Sequence, residues 1–339
     1  MTCTVGVSRD FLGEDGRNLW GDIGLGRLEQ AGVRWEYLPR DVPAFEPADL
    51  APYSAVIFAA PAVTESSFAD GVPRPLLLAR FGVGYDTVAL DACTARDVAV
   101  TITPDGARRP VATAALTLLL SVLHRSVTKD RLVREGRWAE RALHMGRGLT
   151  GATVGLVGVG NTGAEFVRLL APFGVTVLGH DPFCPPERAA ELGVRLVDAD
   201  ALAADSDAVV VMAALTPETF HLVGERFLAR MRPDAVLVNV ARGPLVDEDA
   251  LVAALRDGLI AGAGLDVFES EPPTSGIERL PNVTLAPHSL AWTSEMSLGN
   301  GSSCVDAVLA VARGEAPRFV VNRAVLERPS FLARLENGR

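Results

Sequence analysis

The 339-residue chain has only four cysteines, Cys3, Cys93, Cys184 and Cys304, scattered with no CxxC pair. That spacing excludes a zinc ribbon and a dense disulfide framework, and a reducing, cytoplasmic location is the simpler expectation. Positive charge is also short: 32 Lys and Arg against 42 Asp and Glu leave a net charge of -10. Such a surface opposes non-specific attraction to nucleic acid or anionic membrane but leaves room for a local pocket that collects a carboxylate. Long apolar runs are missing too. The longest, from Pro110 to Leu123, is closed by Arg125 and falls short of the roughly 20 residues a membrane-spanning helix needs. The amino terminus has no basic segment followed by an apolar run, and Asp10 interrupts it early, so no signal peptide is expected. Neither an internal repeat nor a low-complexity linker is present.

Short apolar runs punctuated by glycine and helical stretches make up the rest. Residues 2–7, residues 54–60 (SAVIFAA) and residues 76–79 read as strands of a first α/β layer, with a helix and loops between the first two. Residues 82 and 84 break the third into a glycine turn, and a helix and strand follow before Pro104. A long Ala- and Leu-rich helix is expected from Pro110, placed where a first helical turn tolerates proline, continuing as a polar amphipathic stretch to Gly136. Strand-like segments then recur as ATVGLVGVG, VTVLGHD, DAVVVM, AVLVNVA, AGAGLDVF and VTLAPH, the rhythm of a parallel sheet with right-handed crossovers. A closing helix spans residues 295–313, and the apolar tail at Phe319, Val320 and Val321 is expected to return to the first domain.

Gly158, Gly160 and Gly163 form G-x-G-x-x-G between a strand and a helix, with Asp181 ending the next strand 18 residues after Gly163. The first glycine permits the turn, the second removes a side chain that would block a pyrophosphate, and the third lets helix and sheet approach. With Asn161 and Thr162, they open a helix whose unpaired N–H groups suit an anion. The Asp181 carboxylate suits both adenosine ribose hydroxyls and repels a 2'-phosphate, favouring NAD over NADP. Three further groups end apolar strands, where ligands of parallel sheets bind: Arg242 in NVARG, Asp266 and Glu271 in LDVFESEP, and His288 in LAPH. No His, Cys or Asp cluster has metal-ligand spacing, so no metal is expected. In residues 103–110, TPDGARRP, Arg108 and Arg109 are candidates for a second anionic group on a substrate, set against their pairing with nearby acids.

The order GVGYDTVALDACTARDVAVTITP (82–104), LTPETFHLVG (215–224), MRPDAVLVNVARGPLVDEDALVAALRDGLIAGAGLDVFESEP (231–272) and PNVTLAPH (281–288) resembles the D-isomer-specific 2-hydroxyacid dehydrogenase family over nearly the whole chain. That family includes phosphoglycerate dehydrogenase, glyoxylate and hydroxypyruvate reductases and D-lactate dehydrogenase. The resemblance implies two Rossmann-like α/β domains. A dinucleotide-binding domain with a doubly wound parallel sheet (110–290) is inserted into a smaller flavodoxin-like substrate domain (1–109 and 291–339). It implies a catalytic set of Arg242, Glu271 and His288, with Ala241 and Asp266 near the cofactor. It also implies a substrate anchor at the backbone of Val83 and Gly84, and a homodimer whose partner surface includes residues 128–149. Thr113, Met212 and the stretch Ser289, Leu290, Ala291 and Trp292 depart from the family pattern, and Trp292 is a candidate pocket wall. The alternative reading of the same fold is an NAD(H)-sensing, corepressor-like interaction protein.

Overall fold

The structure is a computed structural model that describes residues 4–337; Cys3 and the start of the first expected strand lie outside the described residues. The chain divides into two compact units, one running to Ala107 and resuming at Trp292, the other Arg108–Ala291.

The first unit holds a five-stranded parallel sheet of β1 (Thr4–Val7), β2 (Arg34–Tyr37), β3 (Ala55–Phe58), β4 (Leu77–Arg80) and β5 (Ala99–Thr101), in the order β2-β1-β3-β4-β5. In β3 every residue is buried, with Ala55 and Ile57 in one core cluster and Val56 and Phe58 in the other, as a strand covered on both faces requires. Strand β2, RWEY, was not foreseen. It lies at the edge, with alternate residues exposed, and so carries no apolar run. The tail closes the opposite edge: Val320 bridges Thr101 antiparallel, and Asn322 accepts from the Val100 N–H at 2.9 Å and donates to the Val98 carbonyl at 2.9 Å. An exposed strand edge is thereby paired.

The second unit carries a seven-stranded parallel sheet of β6 (Thr153–Val157), β7 (Thr176–His180), β8 (Val194–Leu196), β9 (Ala208–Val211), β10 (Val236–Asn239), β11 (Gly262–Leu265) and β12 (Val283–Leu285). Its order, β12-β11-β10-β9-β6-β7-β8, reverses direction between β6 and β9, which pair from Val154↔Ala208 to Val157↔Val211. Ligands of such sheets bind at the carboxyl ends of the strands beside that reversal. Only β8, three residues with Arg195 exposed, escaped the sequence reading.

The long helix corrects the expected boundary. It runs Pro104–Leu123, so Pro110 lies inside it and residues 104–110 are helical, not a loop. Proline costs little at the first position but removes a hydrogen bond at the seventh. Burial of Ala112, Ala115, Leu118 and Leu119 carries the helix through that defect. The helix stops where Arg125 turns left-handed (φ 52°), and Ser126–Arg134 follows as a separate helix. The closing helix is Ser294–Ala312, capped by Thr293, whose hydroxyl accepts from the Met296 N–H. Among the described residues no single helix is long and apolar enough to cross a membrane.

Candidate active site

The glycine turn follows β6. Gly158 has φ 93°, and a Cβ there would lie 2.7 Å from the Ala213 backbone; a Cβ on Gly163 would lie 2.4 Å from the Gly158 carbonyl oxygen. Both positions therefore demand glycine. A Cβ on Gly160, by contrast, would meet open space, and Gly160 caps the helix Asn161–Leu170 with no side chain over its first N–H groups. That open, uncapped helix start fits a pyrophosphate. At the end of β7, Asp181 accepts from the backbone N–H groups of Val159 (2.8 Å) and Phe183 (2.9 Å), which orients its carboxylate while leaving lone pairs for other donors. Arg188 donates to the Asn161 side chain at 3.2 Å.

Strands β10, β11 and β12 deliver the remaining groups at their carboxyl ends. Asn239, 1% exposed, accepts from the Ala241 N–H (3.0 Å) and donates to the Arg242 carbonyl (2.9 Å), so the turn that presents Arg242 is held by a side chain the sequence reading passed over. The Arg242 guanidinium donates to the Ala241 carbonyl at 2.7 Å and makes further interactions. Asp266 is 5% exposed and accepts from the Ser289 and Leu290 N–H groups at 3.0 and 3.1 Å. Burial pushes its carboxyl pKa up, those two N–H groups and His288 opposing the shift and Glu271 adding to it.

Glu271 and His288 meet directly: both carboxylate oxygens lie on Nδ1 of the imidazole, at 3.0 and 2.8 Å. Nδ1 is thus committed, and Nε2 is the nitrogen available to a substrate. His288 has a left-handed backbone (φ 53°), and both side chains are about half exposed.

In the first unit, the loop after β4 presents Val83 and Gly84, whose backbone N–H groups meet no acceptor among the described residues. Arg80 donates to the carbonyls of Phe81 (3.1 Å) and Gly84 (3.1 Å) and so straps the loop from beneath. Trp292 is 56% exposed and packs on Trp20 at 4.4 Å; Trp20 in turn touches Phe81 at 4.8 Å. Trp292 is therefore not a core residue. Arg109, expected on a loop, projects from the helix to Glu165 at 2.6 Å, while Arg108 on the same helix has interactions of its own. One further grouping was not singled out from sequence: His221, Asp247 and Glu269 each offer a ligand atom within 4.8 Å of the others. Within it, His221 Nε2 lies 2.5 Å from Glu269 Oε1.

Residues 116–289 match the model of the D-isomer specific 2-hydroxyacid dehydrogenase NAD binding domain. The chain is 39% identical over 271 residues to a glyoxylate reductase of Thermococcus onnurineus, covering 77% of this chain and 81% of that one. It is 34% identical over 304 residues to a D-3-phosphoglycerate dehydrogenase of Archaeoglobus fulgidus, covering 89% of this chain and 56% of the relative. Among solved structures, an NADPH-dependent glyoxylate/hydroxypyruvate reductase of Sinorhizobium meliloti superposes with a TM-score of 0.79 at 31% identity, over 94% of this chain and 98% of that one. With the doubly wound sheet, the glycine turn and the strand-end Arg, Glu and His in place, the chain belongs to the D-isomer specific 2-hydroxyacid dehydrogenase family.

Proposed function

We propose that the protein is an NAD-dependent dehydrogenase interconverting a small 2-keto acid and the D-2-hydroxy acid. Residues 110–290 bind the dinucleotide, and residues 1–109 with 291–339 bind the substrate. The observation that carries the reading is the contact of Glu271 with Nδ1 of His288, at 2.8 Å, at the strand ends of the same unit as the glycine turn. Gly158, Gly160, Asn161, Thr162 and Gly163 would hold the pyrophosphate, Asp181 the adenosine ribose, and Ala241 and Asp266 the nicotinamide end. Bound NADH supplies the hydride that goes to C2 of the keto acid. His288 holds a proton at Nε2 and gives it to the carbonyl oxygen, while Glu271 at Nδ1 keeps the ring oriented. In the opposite direction the same nitrogen takes the hydroxyl proton. Arg242 offers its rigid fork of donors to the substrate carboxylate and carbonyl, and the N–H groups of Val83 and Gly84 supply a second anchor.

Asp181 supports NAD: its carboxylate suits the ribose hydroxyls and would repel a 2'-phosphate. Relatives named as glyoxylate reductases support a short keto acid. The deciding experiment follows NADH and NADPH oxidation with glyoxylate, hydroxypyruvate, pyruvate and bulkier 2-keto acids. Saturable turnover of at least one, faster with NADH, is expected, and Asp181→Ala narrows the cofactor preference. Tight NADH binding with no keto acid reduced would move the protein to the sensing role, and a wild type that prefers NADPH would overturn the assignment of Asp181.

A further inference from the structure

Three acids on the loop that follows β11 are each pinned by a different partner. Asp266 is held by the Ser289 and Leu290 N–H groups, and Glu271 lies on His288 and also accepts from the Phe268 N–H at 3.2 Å. Glu269, between them, has no place in the proposed chemistry, yet it is held by both its side chain and its backbone. Its Oε1 meets His221 Nε2 at 2.5 Å and accepts from the Glu248 N–H at 3.2 Å, while its own N–H donates to Glu248 Oε2 at 3.0 Å.

His221 joins this loop to its neighbours. Nδ1 of the same ring faces Asp247 at 3.8 Å, the ring stacks on Phe220 at 3.9 Å, and its backbone N–H donates to the Pro244 carbonyl at 2.9 Å from a left-handed conformation (φ 52°). One imidazole thus spans the segment after Arg242 and the segment between Asp266 and Glu271. The two segments also touch through backbone, since a Cβ on Gly243 would lie 1.8 Å from the Phe268 carbonyl oxygen. Arg242, Asp266 and Glu271 therefore stand on one small, cross-linked platform whose side-chain bolt is His221–Glu269.

We infer that His221 is a positioning residue for the acid–base pair, acting through Glu269 to fix the loop that carries Glu271 and hence the carboxylate's place on His288. The inference rests on the proposed roles of Glu271 and His288. Without the bolt, Glu269 loses its imidazole partner and keeps only its contacts with Glu248, so the loop shifts away from the geometry that orients the His288 ring. Misplacing a catalytic group by about 1 Å is enough to cost up to roughly 100-fold in rate.

The test uses His221→Asn, because asparagine tolerates the left-handed backbone but its shorter side chain does not reach Glu269. His221→Gln restores an N–H donor of nearly the same reach, and Glu269→Gln attacks the bolt from the other side while keeping its shape. Expected for His221→Asn is a loss in kcat of about 10-fold or more, with the NADH dissociation constant within about 2-fold of wild type. The pH profile of keto-acid reduction changes in the same sense as in Glu271→Gln, and His221→Gln recovers most of both effects. In a Glu271→Gln background, His221→Asn adds little, because the group it positions has already lost its charge. Wild-type kcat and pH profile in both His221→Asn and Glu269→Gln overturn the inference, as does an effect of His221→Asn that multiplies fully with that of Glu271→Gln. If instead Glu271→Gln and His288→Ala themselves keep wild-type turnover, it is the acid–base reading that fails, and the brace falls with it.

Discussion

At the scale of single residues, the His288–Glu271 contact makes the sharpest demand. Removing the imidazole removes the proton donor but leaves the glycine turn, so His288→Ala should lose roughly 100-fold or more in kcat with NADH affinity near that of wild type in a binding titration. Glu271→Gln should lower kcat and alter the pH dependence of keto-acid reduction, because the imidazole loses its anionic partner at Nδ1. Unchanged turnover and an unchanged profile in both variants would refute the pair. Trp292 raises a different question. It is exposed, packed on Trp20 and linked through Trp20 to Phe81, two residues before the proposed carboxylate anchor at Val83. If it walls the substrate pocket, Trp292→Ala should raise KM for bulky apolar 2-keto acids by about 10-fold while leaving glyoxylate within about 2-fold, since a lost apolar contact is worth about 1–3 kcal/mol. An equal change for both would return Trp292 to a purely structural role.

At the scale of elements, the helix Pro104–Leu123 turns two arginines read from sequence as a specificity loop into helical residues, one of which holds another helix. Arg109 reaches Glu165 in the helix that opens at the glycine turn, and Glu165 also pairs with Arg168 at 3.1 Å. The hydrogen bond from Arg109 is the main cause that holds the Glu165 carboxyl below its ordinary pKa, partly opposed by desolvation. A depressed carboxylate contributes stability that is complete above its unfolded pKa, about 4.3, and is lost as pH falls through its folded value. Arg109 is half exposed, so solvent screening limits the pair to under about 1 kcal/mol. Arg109→Ala should therefore lower the urea midpoint modestly at pH 7, with the gap to wild type closing in acid below pH ~4. It should leave the preference between monoanionic and dianionic keto acids unaltered. A selective loss of dianion kcat/KM would restore the specificity reading, and a gap that widens in acid would contradict the ion-pair account.

At the scale of the whole molecule, residues 126–145 expose more large apolar side chains than a solvated surface favours, among them Val133, Trp138 (62% exposed), Leu143 and Met145 (82% exposed). Trp138 is flanked by Arg137 and Arg141, both engaged locally with Glu140 or the Trp138 carbonyl, so the patch is apolar with a charged rim. A second copy of the chain is the proposed cover. Sedimentation should give twice the chain mass for the wild type, and the double variant Trp138→Glu, Leu143→Glu should sediment as a monomer while keeping its circular dichroism. A wild-type monomer, or a variant dimer of undiminished affinity, would exclude this face.

The sequence by itself determined the α/β class and the glycine turn with Asp181 from local pattern, and it marked Arg242, Glu271 and His288 at strand ends, grouped by the family resemblance. Fully buried strands read as apolar runs, and a tight turn between strand and helix needs glycine. What lacked a local signature was decided by tertiary structure. The edge strands β2 and β8 are too short and polar to show a period, and they exist because neighbouring strands offer a ladder. The start of the long helix at Pro104 contradicts the local meaning of Pro110, and packing of its buried face outweighs one lost hydrogen bond. The pairing of His221 with Glu269, 48 residues apart, is invisible along the chain for the same reason. Hydrogen bonds between distant loops follow from where the sheet sets down its strand ends, and that placement is a property of the folded whole.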